Sequence, residues 1–92
     1  MNVIVKGIGD LAEYFGKEPR PVELPENAAV RDLLKAIEQH WGAGLPPYLW
    51  DFEQHQFRGP VVLVMNKKAL LDLDALLQDG CEIRILRAVS GG

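Results

Sequence analysis

The residues best placed to do chemistry in this sequence stand at its end, where Arg87-Ala88-Val89-Ser90-Gly91-Gly92 follows an apolar segment. Glycine loses the most conformational freedom on ordering and packs nothing, so a glycine pair contributes little to fold stability. Without a Cβ at Gly91 or Gly92, however, the main chain can thread a narrow channel and set its terminal carboxylate in another protein's active site. A carboxylate is a poor electrophile. Joined to AMP it becomes reactive, and attack by a sulfur donor then leaves a terminal thiocarboxylate. Residues 87–92 are therefore expected to form a flexible tail with Gly91 and Gly92 as its working positions. Arg87, Ala88, Val89 and Ser90 are the expected partner contacts, and Arg87 is either an anchor for the emerging tail or a solvated charge.

The other reactive residues are poorly accompanied. Cys81 is the sole cysteine and opens an apolar segment, which suits a small, partly buried side chain better than a nucleophile. His40 and His55 are too far apart to make a metal motif, so no metal site is expected. Nothing resembles a phosphate loop, and no base, nucleophile and oxyanion arrangement is visible. The chain is expected to hold no cofactor stably. ATP would be used by the activating enzyme, and by itself this chain would be a non-catalytic carrier.

Composition narrows the class. With 92 residues there is room for one domain and one core, and a 48% hydrophobic share against 25% charged argues for a folded chain. A net charge of −3, with Lys67-Lys68 the only basic pair, gives no reason to expect nucleic acid or a membrane surface as partner. Neither a secretory leader nor a bilayer-length apolar run is legible, and a cytoplasmic location is expected.

The elements that must position the tail follow from periodicity. Val3-Ile4-Val5 reads as a first strand, and Asp10 to Lys17 as a helical turn or a wide loop. Val22-Glu23-Leu24 reads as a short edge strand beside prolines. Val30, Leu33, Leu34, Ile37 and Trp41 recur at helical spacing across residues 29–41, with Asn27 available as a cap and Gly42 and Gly44 as the stop. Residues 42–59 form the longest irregular stretch, and some of its aromatics are expected to cover one end of the core. Val61-Val62-Leu63-Val64-Met65 reads as a central strand, covered on both faces or on one face plus a partner site. A turn at 66–68, a brief strand at 69–71 and one helical turn at 74–77 lead to a last strand at 81–86. There Ile83 and Ile85 share the buried face, leaving Leu86 as an exposed apolar candidate. The order is that of an α+β domain over residues 1–86, one main helix packed on a small mixed sheet. A β-grasp fits it, and ferredoxin-like folds compete. Leu63, Leu70 and Leu86 are candidates for an apolar partner surface, with ordinary core the competing reading.

Val30-Arg31-Asp32-Leu33-Leu34, Val64-Met65-Asn66, Leu76-Leu77-Gln78-Asp79-Gly80-Cys81-Glu82-Ile83 and above all Val89-Ser90-Gly91-Gly92 carry a resemblance over nearly the whole chain. The sequence resembles the ubiquitin-like sulfur-carrier family, and within it the small subunit of molybdopterin synthase. Three departures stand out: Cys81 where Asp is usual, Arg87-Ala88 where Pro-Pro is common, and Lys67-Lys68 where Gly is frequent. None touches the terminal carboxylate. The resemblance implies a ubiquitin-like β-grasp and adenylation at Gly92 by an enzyme related to ubiquitin-activating enzymes. It further implies a sulfur donor protein and the molybdopterin synthase large subunit as partners, with sulfur delivered to a pterin precursor for the dithiolene that holds molybdenum or tungsten. Sulfur carriage for thiazole or cysteine synthesis, conjugation of Gly92 to lysines, and a pure binding module with an incidental tail are the alternatives.

Overall fold

The computed structural model describes residues 1–88. Seven strands and two helices appear in the order β1 (Asn2–Gly7), α1 (Ala12–Phe15), β2 (Arg20–Glu23), α2 (Val30–Trp41), β3 (Trp50–Asp51), β4 (Gln56–Phe57), β5 (Val61–Met65), β6 (Lys68–Ala69) and β7 (Glu82–Arg87). Five strands form one mixed sheet in the order β2-β1-β7-β5-β6, parallel between β1 and β7 and antiparallel elsewhere. The last strand, β7, is thus the central one, and β5 lies between it and the two-residue edge strand β6. This corrects the expectation that residues 61–65 make the central strand. The long run of β5 is covered on one face: Val61 and Leu63 are buried, whereas Val62 and Val64 are half-buried on the other side.

Packing follows the two periods. Val3 and Val5 of β1, Ile83 and Ile85 of β7, and Val61 and Leu63 of β5 face α2, whose Val30, Leu33, Leu34 and Ile37 complete the core. Gly7 ends β1 where the chain folds back in a 3₁₀ turn at Gly9–Leu11, and a Cβ there would stand 2.7 Å from the carbonyl oxygen of Leu11. The expected helical turn after β1 is this 3₁₀ turn followed by the single turn of α1.

The helix starts differently from the expectation. Asn27 lies in the preceding turn at φ 59°, and Ala29 is the cap residue. Ala29 has no side-chain acceptor, so only half of a capping box forms: its N–H donates to Asp32 Oδ2 at 2.8 Å. The N–H groups of Val30 and Arg31 donate instead to the carbonyls of Ala75 and Leu73, and Leu77 returns a bond to the Ala28 carbonyl. Residues 74–77, expected as a helical turn, instead leave a tight turn at 73–74 and run past the start of α2 with Leu76 bridged to Ala29, so that the 73–77 backbone closes the open end of the helix.

Residues 42–59 contain a small β3–β4 hairpin in place of an unbroken loop. Trp50 is fully buried and meets Phe57 edge-on at 4.8 Å, while Phe15 meets both Phe57 and Trp41. These aromatics do cover one end of the core, but Tyr48 and Phe52 are exposed. No helix among the described residues is long and apolar enough to cross a membrane.

Candidate functional site

The site is built around the end of β7. Alternation along Glu82–Arg87 puts Ile83 and Ile85 into the core and Arg84 and Leu86 on the opposite face. Neighbours on both sides hold the strand: β1 runs parallel beside it, and β5 pairs through Val61 with Arg87, one residue beyond the expected end of the domain. Two further backbone bonds extend this grip, from Ile8 N–H to the Ile85 carbonyl at 2.9 Å and from Ala88 N–H to the Pro60 carbonyl at 2.6 Å. The chain therefore leaves from the middle of the sheet, held by backbone bonds on the β1 side as far as Ile85 and on the β5 side as far as Ala88.

Arg87 shares the inward register of Ile83 and Ile85 but stands at the rim, where its guanidinium reaches the 3₁₀ turn. Its Nη2 and Nε donate to Asp10 Oδ2 at 2.7 and 3.2 Å. That bond lowers the Asp10 carboxyl below its ordinary value and raises Arg87. Both side chains are partly exposed, so solvent screening leaves the pair little stabilising worth. Beside it the hydroxyls of Tyr14 and Tyr48 share a 2.9 Å hydrogen bond, which pushes the Tyr14 phenol up, with smaller contributions from burial and from the charges of Tyr48, Glu13 and Asp10.

The expected apolar surface does not form as one patch. Leu63 is buried opposite Ile85 and belongs to the core, a correction that follows from the two-residue period of β5. Leu70 is half-buried at the sheet edge and lines the same cavity as Leu63, Leu34 and Phe57. Leu86 alone faces the side of the sheet away from α2. There it is half-buried, as are Val62, Val64 and Ile4, and a shallow depression of about 270 Å³ on this face is lined by Val64, Asn66, Lys67, Glu82 and Arg84. Ile4, Val62 and Val64 were legible as the outward members of alternating strands once their register was known. Asp10, Tyr14 and Tyr48 carried no local signal at all.

Val89, Ser90, Gly91 and Gly92 lie outside the described residues. Among the described residues no cluster of His, Cys, Asp or Glu could hold a metal ion. Glu38 accepts from Trp50 Nε1 at 2.8 Å and pairs with His55 Nδ1 at 3.0 Å, tying α2 to the β3–β4 hairpin. Cys81 is half-buried in the turn entering β7, where its carbonyl accepts the Ile4 N–H.

The family model described as "ThiS family" matches residues 5–92, nearly the whole chain and all of the tail. The chain belongs to the ThiS family. Its fold is that of the ubiquitin-like sulfur carriers and modifiers, a ubiquitin-like β-grasp. SAMP1 from Haloferax volcanii is similar over 100% of both chains, at 25% identity and a TM-score of 0.76. Small archaeal modifier protein 1 from Methanosarcina acetivorans is 27% identical over 99% of this chain and 96% of its own, with a TM-score of 0.72. The BexX/CysO complex from Amycolatopsis orientalis contains a chain 27% identical over 98% of this one and 99% of that one, at a TM-score of 0.65. Comparison with curated proteins by sequence finds no match. In this ThiS-family chain, then, the central strand of the sheet leads directly into the segment that ends in Gly91-Gly92.

Proposed function

We propose that this protein is a sulfur carrier that works through a thiocarboxylate on Gly92, and that it supplies sulfur for dithiolene formation in molybdopterin synthesis. The observation that carries the proposal is the family match running through the tail to residue 92, on a fold whose central strand delivers that tail. In this reading an adenylyltransferase of the ubiquitin-activating kind joins the Gly92 carboxylate to AMP from ATP, releasing pyrophosphate. The outer sulfur of a persulfide on a sulfur donor protein then attacks the acyl carbon and AMP leaves. A thiol cleaves the S–S bond of the resulting acyl disulfide, ending as a disulfide with the donor, and frees the Gly92 thiocarboxylate. The tail next enters the molybdopterin synthase large subunit, where its sulfur bonds to a pterin precursor and water hydrolyses the acyl carbon–sulfur bond, leaving the sulfur on the precursor and returning the tail as a carboxylate. The domain contributes binding and aim, the enzymes supply the catalytic groups, and the cycle runs in the cytoplasm. The Val89-Ser90-Gly91-Gly92 ending favours the pterin route over thiazole or cysteine synthesis.

A second reading has an observation of its own. Two of the similar chains are SAMP1 proteins, one described as a small archaeal modifier, and the same adenylate could be captured by a lysine amine to give an amide. Such conjugates would survive denaturation and reducing agent.

Reconstitution with ATP, the activating enzyme and sulfur donor of the same cells tests the proposal. One residue added after Gly92 should abolish thiocarboxylate formation with the fold intact, and a bulky residue at Gly91 should slow transfer by collision in the channel. Cys81→Ser should leave transfer unchanged. Normal transfer by the extended chain, or loss of it on removing Cys81, would contradict the account.

A further inference from the structure

The Asp10–Arg87 pair joins residues 77 apart in sequence at the point where the chain leaves the sheet, and fold stability gives it little reason to exist. Arg87 is the last residue of β7, and Ala88 is still held to the Pro60 carbonyl. Two separate parts of the fold therefore converge on two consecutive residues: the 3₁₀ turn through Asp10, and the start of β5 through Val61 and the Pro60 carbonyl before it. Gly9 at φ 62° and Gly7, which leaves room for the Leu11 carbonyl, let the turn double back over the end of β1 and bring Asp10 within reach. The hydrogen-bonded phenols of Tyr14 and Tyr48 stand near the pair.

We propose that Asp10 is a positioning residue for the tail: by clamping Arg87 it fixes the direction in which the chain leaves β7. The inference rests on the carrier reading above and adds to it a described side chain outside the tail. Its physical content is preorganisation. A partner that draws the tail into a channel must order the residues it grips, and each one already held by the domain removes part of that cost. Losing the clamp should therefore weaken productive capture of the carrier and leave the chemistry at Gly92 untouched. It should appear in the carrier's KM with the activating enzyme and not in kcat.

The test is pyrophosphate exchange with that enzyme, titrating the full-length carrier. Asp10→Ala should raise the carrier's KM about threefold to tenfold at low salt with kcat and thermal midpoint unchanged. The gap between variant and parent should narrow as salt screens the parent's pair. The charge swap D10R/R87D rebuilds the pair with opposite polarity and should bring KM back to within about twofold of the parent, while R87D alone should not. In parallel, amide hydrogen exchange at Ala88 should quicken in Asp10→Ala and slow again in the swap. An unchanged KM in a folded Asp10→Ala protein would overturn the proposal. So would a swap that restores Ala88 protection but not KM, since Arg87 would then be read directly by the enzyme. If the parent carrier supports no exchange, the carrier reading itself falls and this proposal with it; normal exchange by both parent and Asp10→Ala sinks this proposal alone.

Discussion

Asn66 and Lys67 occupy positive φ, 53° and 66°, between the paired residues Met65 and Lys68. This two-residue connection has the twist that hairpins favour, and asparagine tolerates it, whereas a lysine side chain is strained in the left-handed region. Lys67→Gly should stabilise the protein by roughly 0.5–1 kcal/mol, the relief of strain being partly offset by the greater freedom of glycine in the unfolded chain. A urea midpoint that stays level or falls would contradict this. The same residues show what single positions disclose from sequence. The turn was legible from Asn66, but its tightness was not: Lys68 already belongs to β6. Leu63 and Leu86 are both apolar strand residues, and only the pairing register assigns one to the core and the other to the open face. Asp10 and Arg87 were unreadable as a pair, since nothing in either's neighbourhood points 77 residues along the chain.

Among the elements, α2 was legible nearly to the residue because its apolar period is sustained over three turns. Its capping was not, since the groups that satisfy Val30 and Arg31 come from residues 73–75, far along the chain. The β3–β4 hairpin was equally hidden: two residues per strand leave no period to detect, and burial of Trp50 holds it in place. Glu38 is the polar link between that hairpin and α2. The Trp50 N–H above all, and then His55, hold its carboxyl below the ordinary value of 4.5. A lowered folded value means that this stabilisation is complete above about 4.5 and is lost as pH falls through the folded value. Asp51 and Glu82 are shifted in the same direction, so the protein should lose stability with acid. Glu38→Gln should flatten the fall of the denaturant midpoint on that acid side while leaving the other two contributions. An acid limb as steep as the parent's would show that the Glu38 contacts do not couple to folding.

At the scale of the molecule, the arrangement separates a rigid core from a chemically simple end. The tail's strand is central, flanked on both sides, and its inward residues Ile83 and Ile85 are completely buried, so the point of departure is among the best-anchored parts of the fold. The described residues bring together no metal cluster, and Cys81 and His55 serve turns and packing contacts. On the open side of the sheet Val62 and Leu86 pair across β5 and β7 as half-buried apolar residues, next to the gripped exit at Arg87 and Ala88. The α+β class and the main helix were readable because each follows from short-range periodicity. The exit's anchoring was not, because it is made entirely of contacts between distant segments.

The most direct measurement is the intact mass of the protein isolated from its native cells, with fragmentation to locate any change. Replacement of one oxygen by sulfur at Gly92 is the predicted result, and the same species should form on incubation with ATP, the sulfur donor and the cognate activating enzyme. A carboxylate that persists unmodified through that incubation, with no adenylate detected, would contradict the carrier account.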